Sequence, residues 1–324
     1  MKNLLTIQDL RVYYYLREGA VRAVDGVSFF MKRGETVGLV GESGSGKSTL
    51  GLSILKLVSS PGKIVSGKIL FNGNDIAGWN EKKMRLLRGS RISMVFQDPM
   101  TSLNPLMRIE EHLVETIRTH QKIPKAEAKK KASLLLNEVG IPPERGGDYP
   151  HQFSGGMRQR IGIALAIALN PDLLIADEFT SSLDVIVQFQ ILNLMKKLKA
   201  SHQMGLIFIS HDISLVSEIA DRIALMYAGQ IVEFAPADVF FSEHLHPYSE
   251  GLLNSVPNIE LSDQKLSYIP GMPPDLVHPP EGCRFYPRCP YGEDICKRKE
   301  PPLVQIEKEY MVKCFRYDGK KSRT

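Results

Sequence analysis

The sequence has little of what a membrane-spanning or secreted protein needs. Among its 324 residues, no apolar run approaches the roughly 18 to 20 that a spanning helix requires. The most apolar stretch, 161–169, is short and reads as a buried helix. The N-terminus, Met1-Lys2-Asn3-Leu4-Leu5, has neither a long apolar core nor a small-residue cleavage site, so no signal peptide is expected. These absences predict a chain kept in the cytosol, with any membrane role exercised through a partner. There is no internal repeat and no low-complexity tract. Excess charge is also scarce. A net charge of +5 reads as an ordinary solvated surface with a basic tail at Lys320, Lys321 and Arg323. Cysteine is missing from most of the chain, and all four lie between Cys283 and Cys314. Cytosolic thiols stay reduced, so such a cluster points to a metal or metal-cluster site rather than to disulfides.

What is present is globular in character. With 43% hydrophobic and 24% charged residues, the chain can build one large domain or two smaller ones. Residues 4–14 alternate toward their end, placing Leu10, Val12 and Tyr14 on one face of a strand. Thr36–Val40, Leu173–Ala176 and Leu206–Ile209 read as buried strands separated by helical stretches. That pattern predicts a mostly parallel sheet covered by helices. From Asp98 to Pro150 helical patterning dominates, with the charged run Lys122–Lys131 on a solvated helix face. A helical subdomain inserted into an α/β core is expected there. After about Pro257 the composition shifts to proline and short polar residues, which reads as a linker or an extended packing arm leading to the cysteines.

Directly after the strand at 36–40 stands Gly41-Glu42-Ser43-Gly44-Ser45-Gly46-Lys47-Ser48-Thr49, a phosphate-binding loop. Its glycines let the backbone turn tightly so that successive N–H groups point at phosphate oxygens. The helix that follows adds its positive N-terminus. Lys47 is placed to reach the β- and γ-phosphates, and Ser48 to ligate Mg²⁺. A second apolar strand ends in Asp177-Glu178. There, Asp177 would hold Mg²⁺ and Glu178 would polarise an attacking water. Alone, two acids after a strand suggest no more than a solvated strand end; downstream of a phosphate loop they complete an ATPase. A third motif, Phe153-Ser154-Gly155-Gly156-Met157-Arg158-Gln159-Arg160, opens an apolar helix and offers another anion-binding helix tip.

On this third motif the chain resembles the ABC ATPase family. The resemblance implies that the helix tip at Ser154, Gly155 and Gly156 caps the γ-phosphate held by a partner's loop, so that two subunits sandwich two ATP molecules. Gln97, in Val95-Phe96-Gln97-Asp98-Pro99, matches the family's Q-loop, a Mg²⁺ and water sensor. Ser182-Leu183-Asp184 matches the loop at the dimer seam, with Asp184 reaching the partner's nucleotide. His211, in Ser210-His211-Asp212, matches the switch histidine on the γ-phosphate. An aromatic residue near the N-terminus should stack on adenine. Of three consecutive tyrosines, Tyr14 is chosen because it shares the face of Leu10 and Val12, leaving Tyr13 and Tyr15 for surface or packing roles. One departure is Phe179, where the family usually has proline. Without the rigid ring, the loop after Glu178 is expected to be less constrained.

The resemblance covers nearly the whole chain and narrows to the dipeptide/oligopeptide importer branch, D-type ATPase subunit. It rests on Phe96-Gln97-Asp98-Pro99-Met100-Thr101-Ser102-Leu103-Asn104-Pro105, on the run 149–160, on His246-Pro247-Tyr248, and on the tail runs 269–276 and 282–290. The implied fold is α/β: a RecA-like P-loop NTPase core with an ABC antiparallel β subdomain, an inserted helical subdomain and a C-terminal Cys-rich extension. The expected boundaries are 1–257 for the nucleotide-binding domain, with its helical subdomain at about 98–164, and 258–324 for the extension. Four thiolates at Cys283, Cys289, Cys296 and Cys314 could hold Zn²⁺ or a [4Fe–4S] cluster. The spacings lack the tight pairs of zinc sites, and the family resemblance implies the cluster. Implied partners are two transmembrane permease subunits, a second ABC ATPase subunit and an extracytoplasmic peptide-binding protein, with the chain peripheral on the cytoplasmic face of the membrane. The engine does not touch the cargo, so nickel, a sugar or an opine remain alternatives to peptide. A non-transport ABC role on ribosomes or DNA fits poorly. There is one P-loop, no long coiled-coil insertion, and no basic–aromatic interleaving in the tail.

Overall fold

The computed structural model describes residues 3–98, 103–181, 183–255 and 268–319. Ser182, the 99–102 part of the Q-loop block, the first part of the proline-rich segment and the basic tail at Lys320, Lys321 and Arg323 lie outside the described residues.

The chain begins with β1 (Leu5–Leu16) and β2 (Gly19–Met31), followed by β3 (Thr36–Val40), α1 (Lys47–Ile54), β4 (Gly62–Phe71) and β5 (Asn74–Asp75). Its middle carries α2 (Glu81–Leu87), β6 (Ile92–Val95), α3 (Ile109–His120), α4 (Lys125–Glu138), α5 (Gly155–Ile167), β7 (Leu173–Asp177), α6 (Val185–His202) and β8 (Gly205–Ser210). The last part holds α7 (Ile213–Ser217), β9 (Arg222–Tyr227), β10 (Gln230–Pro236), α8 (Ala237–Glu243), α9 (Pro247–Leu253), α10 (Asp294–Arg298), β11 (Leu303–Glu307) and β12 (Tyr310–Lys313). Two compact units result. The first combines Leu5–Met31, Thr36–Ala77 and the described part of Ser210–Thr324; the second is Gly78–Ile209 with Leu4 and Lys32–Glu35.

In the first unit, an antiparallel sheet runs in the order β2-β1-β4-β5. Leu5 of β1 faces Met31 on one side and Phe71 on the other. Leu5, Ile7, Leu10 and Val12 are buried while Gln8 and Asp9 are exposed, the half-solvated pattern that antiparallel strands allow. A second set of strands follows the order β11-β12-β10-β9-β3. Here β3 pairs in parallel with β9, from Val37 opposite Arg222 to Val40 opposite Leu225. All five residues of β3 are buried, as a parallel strand covered on both faces must be. The described residues from 268 onward pack along this unit: the Arg22 amide donates to the Leu276 carbonyl at 3.0 Å. This favours the packing arm over a free linker.

In the second unit, β6, β7 and β8 pair in parallel. Strands β7 and β8 are buried end to end, matching the two apolar runs that the sequence marks. Helices α3 and α4 pack together and against α5. Helix α4 buries Ala128, Ala132, Leu135 and Leu136, three to four residues apart, and leaves Lys129 and Lys130 exposed. The helix expected around 161–169 starts at Gly155 and stops at Ile167, just before Asn170 takes a left-handed backbone.

Candidate functional site

The first unit carries the phosphate loop. Strand β3 delivers Gly41 and the chain turns into α1 at Gly46, whose φ is +100°. A Cβ there would stand 2.0 Å from the Ala23 carbonyl oxygen, so only glycine lets the loop close against β2. No side chain caps α1, which leaves its first backbone N–H groups for an anion. Lys47 is 4% exposed, and its Nζ donates to the carbonyls of Gly41 at 2.8 Å and Glu42 at 3.0 Å. The loop thus folds around its own lysine. The Ser45 hydroxyl is buried with no hydrogen-bond partner among the described residues, an orphan polar atom in the wall of the loop.

The three tyrosines of β1 separate cleanly. Tyr14 is half-buried, and its hydroxyl lies 3.5 Å from Thr49 Oγ1 on α1. Tyr13 donates to Asp25 at 2.7 Å. Tyr15 is exposed, with Lys63 over its ring. Tyr14 thus stands beside the phosphate-loop helix. His211 is exposed just past β8, and the neighbouring Asp212 caps α7 by accepting from Ser214 and Leu215.

The second unit brings Gln97 and Glu178 together, with Gln97 Nε2 donating to Glu178 Oε2 at 3.3 Å. Asp177 ends β7 and is 7% exposed. Glu178 turns out of the strand with φ +40°, while its N–H donates to the Ile209 carbonyl at 3.0 Å. The departure from proline at Phe179 falls directly after Glu178. Phe179 is 1% exposed and meets Phe208 edge-on at 5.8 Å, which ties its side chain into the core. The turn is closed further by Ser181, whose N–H and hydroxyl both donate to the Glu178 carbonyl. A left-handed backbone at Glu178 also suits Phe179 better than proline, which pushes its predecessor toward extended conformations.

Ser154 caps α5, accepting from the Met157 N–H at 3.4 Å, and Ser154 and Gly155 are exposed at the helix tip. A Cβ on Gly156 would sit 2.6 Å from Val187 Cγ1, so this glycine sets the close approach of α5 and α6. Asp184 accepts from the Val187 N–H at 3.0 Å and so caps α6, a role the sequence reading did not assign.

The four cysteines line one small cavity with His246, Phe285 and Tyr286. Burial pushes the Cys283 thiol up to about 11 and raises those of Cys289 and Cys314. These three therefore rest as neutral thiols at pH 7 unless a cation stabilises the thiolates. Among the described residues, no three His, Cys, Asp or Glu side chains form a group able to hold a single metal ion. Sequence reasoning missed the contacts of Glu42. Its N–H donates to the Tyr248 hydroxyl at 2.9 Å, and its carboxylate pairs with Arg288. Only the arginine beside a cysteine hinted at them.

Two family descriptions match the chain: "ABC transporter" over residues 24–181 and "Oligopeptide/dipeptide transporter, C-terminal region" over 232–296. The chain is 49% identical to the oligopeptide transport ATP-binding protein OppD of Bacillus subtilis, across 97% of this chain and 88% of the relative. It is 44% identical to the dipeptide transport ATP-binding protein DppD of Escherichia coli, across 96% of each. Among solved structures, the dimeric post-hydrolysis ATP-binding cassette MJ0796, bound to ADP and Pi, superimposes with a TM-score of 0.65 at 26% identity. That match covers 72% of this chain and 98% of the cassette.

Proposed function

Because the chain belongs to the ABC transporter family, we propose that it works as the ATP-hydrolysing subunit of an importer for dipeptides or oligopeptides. The observation that carries this reading is that one chain holds the two features an ATP sandwich would need. These are a glycine loop wrapped around Lys47 and an exposed helix tip at Ser154 and Gly155. The peptide cargo is supported by relatives whose names specify oligopeptide and dipeptide transport.

On this reading the backbone from Gly41 to Thr49, with the hydroxyls of Ser43 and Ser45, cradles the phosphates, and Lys47 contacts the β- and γ-oxygens. The hydroxyl of Ser48, the carboxylate of Asp177 and the amide oxygen of Gln97 are hard oxygen donors that suit magnesium by their chemistry. Magnesium, when bound, offsets charge on the phosphate oxygens. Glu178 takes up the proton side of the attacking water, Gln97 orients it, and His211 contacts the γ-phosphate. Ser154, Gly155, Gly156 and Asp184 act on the nucleotide of a partner ATPase subunit, in a hetero- or homodimer. Tyr14 stacks on adenine. Tyr14→Ala is expected to weaken ATP binding about tenfold, since stacking on an aromatic ring is worth roughly 1–3 kcal/mol per base. Tyr15→Ala should leave affinity unchanged in the same titration, and equal losses in both would remove Tyr14 from the site.

No helix among the described residues is long and apolar enough to cross a membrane. On the transport reading, carried by the relatives' names, the chain acts peripherally, at the cytoplasmic face, on two separate permease subunits served by an extracytoplasmic peptide-binding protein. The cysteine cavity is assigned a [4Fe–4S] cluster ahead of zinc. Four thiols line one cavity, and their spacings lack the tight pairs of zinc sites. It would pin an extension with little core of its own. Anaerobic purification of the tagged chain from membranes tests both readings. The expected eluate holds two permease chains, a second ATPase chain and about four irons per extension. Recovery without any membrane chain would sink the transport reading, and zinc in place of iron would sink the cluster.

A further inference from the structure

The short turn between Cys283 and Cys289 grips the phosphate loop. Arg288 ends that turn and its guanidinium is nearly buried, with 5% of the side chain exposed. It meets Glu42, the second residue of the loop, in a two-pronged pair: Nη1 to Oε2 at 2.8 Å and Nη2 to Oε1 at 3.0 Å. Its other donations go to the Pro270 carbonyl at 3.0 Å, the Ile269 carbonyl at 3.3 Å and the Tyr227 hydroxyl at 3.3 Å. All five guanidinium N–H groups are therefore used, which fixes the group in a single pose.

Glu42 is the hub of the loop. Its carbonyl accepts from Lys47 Nζ at 3.0 Å and from the Ser45 N–H at 3.2 Å, and its N–H is held by Tyr248. A second arginine of the same segment supports the far side of the loop. Arg284, next to Cys283, donates to Asp25 and to the Ala228 carbonyl. The following Gly229 N–H donates to the Ser45 carbonyl at 2.9 Å. The cysteine segment thus touches the loop at Glu42 directly and at Ser45 through the β9–β10 turn.

We propose that Arg288 is a positioning residue for the nucleotide site: by fixing Glu42 it holds the phosphate loop in its binding shape, which makes the cysteine extension a brace for ATP. The proposal rests on the reading that residues 41–48 bind the phosphates of ATP. An unbraced loop must be ordered by the nucleotide itself, so the loss falls on ATP binding and leaves the chemical step alone.

The test is a double-mutant cycle in the purified transporter, scored by KM for ATP, kcat and ATP titration of the full chain. Arg288→Gln is expected to raise KM on the order of tenfold with kcat within about twofold. Glu42→Ala should also raise KM, and the double variant should be no worse than Arg288→Gln alone, because the Glu42 pair is already broken there. Losses that multiply in the double variant, or a fall in kcat at unchanged KM, would overturn the proposal. If Arg288→Gln fails to fold, Glu42→Ala decides alone, since Glu42 is only partly buried; an unchanged KM then refutes the brace. Lys47→Ala separates the two levels. If it binds ATP normally, the loop reading itself is wrong. If it loses ATP while Arg288→Gln and Glu42→Ala bind as wild type, only the brace is wrong.

Discussion

Glu178→Gln stalls hydrolysis while ATP still binds: turnover of the purified transporter is expected to fall by roughly 10²–10⁴-fold, the usual contribution of a positioned general base. The substitution is nearly isosteric. The amide it introduces can still face Gln97, which now reaches Glu178 Oε2 at 3.3 Å, and the left-handed backbone at φ +40° is unaffected. Phe179 stays buried against Phe208, so the loop keeps its place. What is lost is the carboxylate that accepts the proton of the attacking water. Phosphate release measures the first effect, and nucleotide titration checks that affinity stays within about twofold. Turnover within about tenfold of wild type would remove Glu178 from the catalytic role.

Lys47→Ala acts earlier, on binding. Two losses combine. The ammonium no longer reaches the β- and γ-phosphates, and a charge-assisted contact of this kind is worth roughly 1.5–3 kcal/mol, about 10- to 150-fold in affinity. The loop also loses its internal strut, because Nζ now joins the Gly41 and Glu42 carbonyls. Those two carbonyls, in a loop shaped to bind an anion, would turn toward whatever donor remains. ATP titration of the full chain should show the drop with the fold intact by circular dichroism. Unchanged affinity in a folded variant would contradict the assignment of the loop.

Much of the site was legible in the sequence because it is local. The phosphate loop draws its donors from successive backbone N–H groups within nine residues, 41–49, and a glycine pattern displays that directly. The helix tip at Ser154 is equally local. The strand–acid pattern at 173–178 needed only a buried apolar run ending in Asp177 and Glu178. The choice of Tyr14 among three tyrosines rested on strand alternation, and its hydroxyl lies 3.5 Å from Thr49 Oγ1. Less legible were residues whose partners are remote. Asp184 looked like a seam residue and is also a helix cap, a role visible only when α6 starts at Val185. Phe179 looked like a weakness because a missing proline shows in the sequence, whereas an aromatic partner at Phe208 does not.

The chain by itself determined the ATP-binding class, the order of its motifs and the grouping of its cysteines, since each depends on neighbours in sequence and on backbone geometry that few residue types permit. Only the tertiary structure decided that Phe179 packs against Phe208, and that Arg288 reaches Glu42 across 246 positions. Such pairs follow from packing. Two side chains far apart in the chain meet only after the sheets have formed around them, and neither residue type announces its partner beforehand.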